Sequence, residues 1–218
     1  MHRSAVRHLK KSDPILARVI ERVGACRFQT RDEGKHFDYV ARAIIYQQLS
    51  GSAAATIFRR FHDIYGGRAP TPEELLATPE ERLRAAGLSR QKIGYLFDLA
   101  RKAQEREVDF ENLHQLEDAA IVEALTRVKG VGVWTAQMFL MFRLGRPDVL
   151  PDLDLGIRKG IQRAYKLRKE PRADRVHRIG SAWAPYRTIA SWYLWRSLEV
   201  AEPVRVPAKK RRGTNGKR

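Results

Sequence analysis

The sequence predicts an all-α fold arranged as two helical lobes, and three observations carry that expectation. Apolar residues recur at three- and four-residue spacing along most of the chain, and no stretch alternates convincingly as a strand would. Helix-start signals recur as Ser12-Asp13-Pro14, Thr71-Pro72-Glu73-Glu74 and Thr78-Pro79-Glu80-Glu81. Hydrophobic residues make up 43% of the 218, enough to bury a core without disulfide staples.

The elements follow in order. Pro14 in a first turn opens a helix through about Val23. Residues Phe37–Leu49 place Tyr39, Val40, Ala43, Ile44 and Gln47 at helical spacing, until Gly51-Ser52 breaks the run. A small-residue helix, Ala53–Tyr65, comes next, and Gly66, Gly67, Pro70 and Pro72 form the following connection. Ser89 caps a long helix to about Arg106, with Ile93, Leu96, Phe97 and Ala100 on one face. Another helix runs from about Glu117 to Arg127, followed by a Gly130-Val131-Gly132 turn and a helix over Val133–Leu144. A proline-bounded loop, Pro147–Pro151, leads to a helix over about Leu153–Tyr165. The last two helices lie near Arg172–Trp183 and Pro185–Val200. This assigns residues 1–202 to one two-lobed core and 203–218 to a Pro/Gly/basic tail expected to be disordered.

The charge balance is unusual. Forty-two Lys and Arg stand against 25 Asp and Glu, a formal net charge of +17. The tail carries seven bases and no acid, so the rest of the chain still carries +10. A body this basic calls for a polyanion, and nucleic acid is the default partner. The single cysteine, Cys26, excludes a disulfide framework, a Cys-rich zinc site and a four-cysteine iron–sulfur cluster. The six histidines show no ligand spacing, so no catalytic metal is assigned. No apolar run stands behind the basic start, and the longest apolar stretch, Val131–Phe142, is too short to cross a bilayer. The expectation is a soluble, intracellular monomer that binds DNA and no membrane.

The most informative stretch is Leu125–Ala136, which reads as helix, Gly-x-Gly turn and a second helix opening at once. Glycines let the backbone approach a phosphate, and the free N–H groups of the second helix point at it. Taken alone, such a turn is as well explained as a connector with a glycine cap. Asp154, in the segment Leu150-Pro-Asp-Leu-Asp-Leu-Gly-Ile-Arg-Lys-Gly160, changes that balance.

Hairpin, Gly/Pro-rich loop and following aspartate together resemble the helix-hairpin-helix DNA glycosylases. More narrowly, the chain is similar to the alkylpurine (3-methyladenine) glycosylases of the AlkA type, in a compact form lacking an additional N-terminal sheet domain. Ala43–Ser50, Ala86–Lys92 and Trp183–Trp195 support this, and the resemblance covers about residues 12–200. It implies a two-lobed glycosylase fold with the helix-hairpin-helix at about 117–144. It implies base excision repair of alkylated purines such as 3-methyladenine and 7-methylguanine, by base flipping and hydrolysis of the N-glycosidic bond. The site of action would be the nucleoid in a prokaryote or the nucleus in a eukaryote.

The resemblance also assigns residues. Asp154 would act on the sugar side of the scissile bond. A purine alkylated at N3 or N7 is cationic and departs neutral, so one anion near the developing sugar cation suffices. Asp152 is the competitor, expected to cap or orient the helix start while Asp154 points into the cleft. Trp134 stands where bifunctional members place an attacking lysine, which implies no lyase activity; Lys129 and Lys159 are near in sequence but off that position. Trp134 and Trp195 would line the base pocket, where indole faces attract a cationic purine. Core packing is the plainer role for both. Met138 and Leu155 stand where relatives carry aromatics, which puts the substrate range in doubt. Gln48 matches the wedge that fills the vacated stack, with Leu49 as the alternative and Gln47 expected at the lobe interface. Phosphate contacts would come from Gly130 and Gly132, with Thr135, Lys92 and Lys129. In relatives the hairpin carbonyls hold a structural cation, monovalent or otherwise; the matching groups are Thr126, Val128 and Gly130. No cofactor or iron–sulfur cluster is required.

Two other readings compete. A non-catalytic helix-hairpin-helix DNA-binding protein explains the charge but leaves Asp154 and the two tryptophans without a task. A glycosylase for oxidised or mismatched bases often carries the lysine or a cluster, and this chain has neither.

Overall fold

Side-chain caps set several of the helix starts. Thr71 and Glu74 form a reciprocal capping box, Ser89 accepts from the Lys92 amide, and Asp13 and Asp154 each cap a helix with their carboxylates. The computed structural model describes residues 2–31 and 34–200, and every regular element among them is helical. In order these are α1 (Arg3–Ser12), α2 (Pro14–Val23), α3 (His36–Tyr46), α4 (Gly51–Asp63), α5 (Pro72–Leu76) and α6 (Glu80–Ala85). Then come α7 (Arg90–Gln104), α8 (Asp118–Thr126), α9 (Val133–Met138), α10 (Leu155–Ala164), α11 (Ala173–Gly180) and α12 (Arg187–Glu199). None of these is long and apolar enough to cross a membrane.

Two cores divide the described residues. Helices α3–α9 close around one that includes Phe37, Ile44, Phe61, Leu96, Leu125 and Phe139. The other joins both ends of the chain: α1 and α2 pack with α10–α12 around Leu9, Leu16, Ile157, Trp183 and Tyr193. Asp13, only 7% exposed, ties these ends together. It accepts from the amides of Ile15 (2.9 Å) and Leu16 (3.0 Å), from Trp183 Nε1 (2.8 Å) and from the Tyr165 hydroxyl. Phe142 and Trp195 pack against both cores, their rings stacked with centroids 6.0 Å apart. The segment between the lobes is pinned to α12, where Arg187 holds Asp148 through two 2.7 Å bonds.

The structure departs from the periodicity in four places. Helix α1 was not among the expected elements: its buried face is short, with Ala5 and Leu9 one turn apart, and the segment is otherwise rich in basic residues. Helix α3 stops at Tyr46 rather than Leu49, and Gln48 takes a left-handed φ of 56°. The run Val133–Leu144 is α-helical only to Met138 and widens to a π-helical turn over Phe139–Arg143. Helix α10 begins at Leu155, not Leu153, because Asp154 is its cap. The basic tail, 203–218, lies outside the described residues.

Candidate active site

Asp154 sits at the start of α10 with its carboxylate fixed from three sides. Oδ1 accepts from the Ile157 amide (2.8 Å) and from Trp195 Nε1 (2.8 Å), while Oδ2 accepts from Trp134 Nε1 (2.7 Å). All three partners are N–H donors, so both oxygens act as acceptors. The three residues come from different elements: α10, the first turn of α9, and α12. The N-terminus of α10 adds its positive end, which favours an anion there.

Asp152 does not cap α10, contrary to the expectation. Its carboxylate meets His177 Nε2 of α11 at 3.2 Å, and the cap is Asp154 itself. The reason is local: a tight turn, with the Asp154 amide donating to Pro151 O at 3.1 Å, turns the two side chains apart.

Trp134 is half exposed and borders a cleft of about 550 Å³ between α3 and the hairpin. Helix α3 presents Tyr39, Arg42, Ala43 and Tyr46 to it, one face at helical spacing. Tyr95, Thr135 and Met138 complete much of the wall, and the Tyr39 hydroxyl donates to Met138 O at 3.3 Å. The tyrosines give the cleft the aromatic character that Met138 seemed to remove. Among the described residues no carboxyl or imidazole group lines it. Arg42 lies 3.8 Å over the Tyr46 ring. Trp195 is half-buried, hydrogen-bonded to Asp154 and stacked on Phe142, so it supports the carboxylate and the lobe junction together.

Gln48 and Leu49 are both exposed at the end of α3 and at the rim of this region. Gln47 does not sit between the lobes; its Nε2 donates to Gly130 O (2.8 Å), fastening α3 to the hairpin. Lys92 is also differently employed. Its ammonium donates to the carbonyls of Ile45 and Gln47, 2.7 Å each, and burial pushes its pKa down. It closes the carbonyl end of α3 instead of facing a phosphate: the Gln47 and Leu49 amides take the Ile44 and Tyr46 carbonyls, and the ammonium takes those of Ile45 and Gln47. Lys129 and Gly132 are exposed, Thr135 is half-buried, and the Lys129 amide donates to buried Asp98 at 2.8 Å.

Gly130 has φ +80°, and a Cβ on it would fall 2.2 Å from the Tyr95 ring. The glycine is demanded by packing against α7, whatever approaches from outside. The carbonyls of Thr126, Val128 and Gly130 lie at and just past the end of α8, where helix carbonyls carry partial negative charge. Val128 O accepts from the Val131 amide (3.0 Å) and Gly130 O from Gln47, which leaves each a second lone pair for a weakly held cation. No cluster of three or more His, Cys, Asp or Glu suited to a metal occurs among the described residues.

One more feature frames the site. Eight large apolar side chains are exposed among the described residues, and five of them belong to these segments: Leu49, Val133, Trp134, Leu153 and Leu155. Concentrated exposed apolar surface marks an interface.

The comparisons agree with this geometry. Residues 41–185 match the family described as HhH-GPD superfamily base excision DNA repair protein. The chain is 37% identical over 204 residues to DNA-3-methyladenine glycosylase 1 of Schizosaccharomyces pombe, covering 91% of this chain and 90% of that protein. Among solved structures it resembles the 3-methyladenine DNA glycosylase of S. pombe in complex with abasic DNA, with TM-score 0.81 and 36% identity. That match covers 91% of this chain and 98% of the other. A DNA-3-methyladenine glycosidase from Bacillus halodurans superposes with TM-score 0.80 at 36% identity, over 88% of each chain.

Proposed function

The chain belongs to the HhH-GPD superfamily of base excision DNA repair proteins, and from that premise we propose a monofunctional DNA glycosylase that excises alkylated purines from duplex DNA. The observation that carries this is one carboxylate, Asp154, held by two indoles beside an aromatic cleft whose lining, among the described residues, offers no carboxyl or imidazole acid.

A neutral purine needs a proton to leave its sugar, whereas one alkylated at N3 or N7 already carries the positive charge that drives departure. Such a base suits a cleft with Tyr39 and Trp134 in its wall, since electron-rich rings attract a cation, while Arg42 already covers the Tyr46 ring. As the glycosidic bond lengthens, positive charge grows on the sugar. Asp154, fixed by its three donors, stabilises that charge without rearranging, and it orients the water that attacks. With indole in place of lysine at position 134 there is no amine at that position to attack the sugar carbon. Gln48, or Leu49 beside it, would fill the gap left by the extruded base. The hairpin at Lys129, Gly130, Gly132 and Thr135 would hold the backbone. Where a cation binds the hairpin carbonyls it would stiffen that grip; no step of the reaction runs through it. The protein would act as a monomer wherever the genome is, in the cytoplasm or the nucleus.

The test is incubation with duplex DNA treated with a methylating agent, followed by chromatography of released bases. Free 3-methyladenine or 7-methylguanine is expected. DNA binding without release of any base would instead favour the non-catalytic reading.

A further inference from the structure

The hairpin accounts for little of the body's positive charge. Lys92 is engaged on α3 carbonyls, and Arg127 is paired with Glu123 at 2.8 Å, which leaves Lys129 as its exposed cation. A denser patch lies elsewhere. The chain between α10 and α11, with the first turn of α11, forms a hollow of about 920 Å³ whose wall includes Lys166, Arg168, Lys169, Arg172 and Arg175. All five are exposed and none makes an ion pair among the described residues. The two acids of the same segment are drawn to other bases: Glu170 lies 3.6 Å from Arg158, and Asp174 lies 3.9 Å from Arg178. Both acids also line the hollow, so its wall carries five cations against two carboxylates, each of which is paired with an arginine outside the wall.

The hollow is also anchored close to Asp154. Arg158, one turn along α10 from the capping aspartate, donates through Nε to Pro171 O at 2.9 Å. His177 of α11 meets Asp152 at 3.2 Å, two residues before Asp154. One helical turn plus the reach of an arginine and its hydrogen bond puts the near edge of the hollow within roughly 15 Å of the carboxylate. A duplex rises about 3.4 Å per base pair, so this corresponds to about four base pairs of flanking DNA.

We propose that the basic hollow at residues 166–175 is a second duplex-binding surface, which holds backbone phosphates of one arm of the DNA about four base pairs from the extruded nucleotide. The ligand is the phosphodiester backbone: five neighbouring cations, none held in an ion pair among the described residues, displace condensed ions when they neutralise phosphates. Guanidinium groups add paired donors that match phosphate oxygens. The contact reads no sequence; it fixes the direction in which the duplex lies across the cleft. This rests on the glycosylase reading only for the position of the lesion.

The test measures dissociation constants for duplexes with a stable abasic-site analogue, using wild type and the triple variant Arg168→Gln, Lys169→Gln, Arg172→Gln. The duplexes are GC-rich, 7 base pairs long with three on each side of a central lesion, held at low temperature, then lengthened on one side at a time. Wild type should gain affinity when one particular arm is lengthened and not the other. The variant should lose that gain, binding the long duplex about tenfold more weakly, with a log–log salt slope shallower by about two to three. On the short duplex the two proteins should bind alike, and circular dichroism should match. Arg175→Gln alone should show the same arm dependence to a lesser degree. Equal response of wild type and variant to arm length overturns the proposal, as does an equal loss on short and long duplexes. Base release is scored separately: an arm-dependent binder that releases no base contradicts the glycosylase reading and leaves this surface standing.

Discussion

Gly156 lies so close beneath Trp195 that a Cβ there would stand 2.7 Å from the indole Cδ1 and 2.9 Å from Nε1. The same Cβ would come within 3.0 Å of Asp154 Oδ1. The hydrogen bond between Trp195 and the aspartate therefore depends on the absence of a side chain two residues along α10. Gly156→Ala should push the indole off Oδ1 and lower the single-turnover rate by on the order of 10²-fold. DNA affinity should change little. A rate within twofold of wild type would show that Trp195 does not position the carboxylate.

The two hairpin glycines should respond in different ways. Gly130→Val places a β-branched residue at positive φ and against Tyr95, so it should cost about 2–3 kcal/mol of stability, read in urea unfolding. Gly132 has open space where its Cβ would be and an ordinary φ of −97°. Gly132→Ala should fold normally yet weaken DNA binding several-fold, because the methyl group keeps the backbone from a phosphate. Normal binding by Gly132→Ala would move the phosphate contact elsewhere.

No covalent adduct with DNA should form when borohydride is added during turnover, since position 134 carries an indole and not an amine. A trapped adduct visible on a denaturing gel would mean that another lysine reaches the sugar.

Asp13 should govern acid stability of the lobe built from the chain ends. Burial pushes its pKa up, but hydrogen bonds from Tyr165, the Leu16 amide, Trp183 and the Ile15 amide outweigh that and hold it below the ordinary 3.8. Its contribution is therefore complete above 3.8 and is lost as pH falls through the lower folded value. Asp13→Ala removes a cap and strands two donors, and should cost about 2–4 kcal/mol at neutral pH. The unfolding curves of wild type and variant should converge as the solution is acidified below that value. A constant gap down to pH 2 would contradict this assignment.

Much of the site was legible because its chemistry is carried by residue type. A Gly-x-Gly turn, an aspartate eighteen residues beyond Ala136 and two tryptophans are visible without coordinates. What escaped was set by packing between distant elements. Periodicity marks faces of α3 but does not say that Tyr39, Arg42 and Tyr46 meet the hairpin across a cleft. Lys92 looked like a phosphate ligand because its targets, the Ile45 and Gln47 carbonyls, are more than forty residues away in the chain. Gly156 gave no signal, since its need for a bare Cα arises only once α12 is laid across α10. Asp154, not Asp152, caps α10, and a two-residue shift in a helix start cannot be read from two nearby aspartates.

The most direct test of the account compares Asp154→Asn and Asp152→Asn in single-turnover release of 3-methyladenine or 7-methylguanine from alkylated duplex DNA at saturating enzyme. Asparagine keeps the volume at position 154 but removes the anion, so base release should fall by at least on the order of 10³-fold while DNA affinity stays within a few-fold. Asp152→Asn, which alters only the contact with His177, should stay within tenfold of wild type. Near-normal release by Asp154→Asn would contradict the account, most sharply if Asp152→Asn proved inactive.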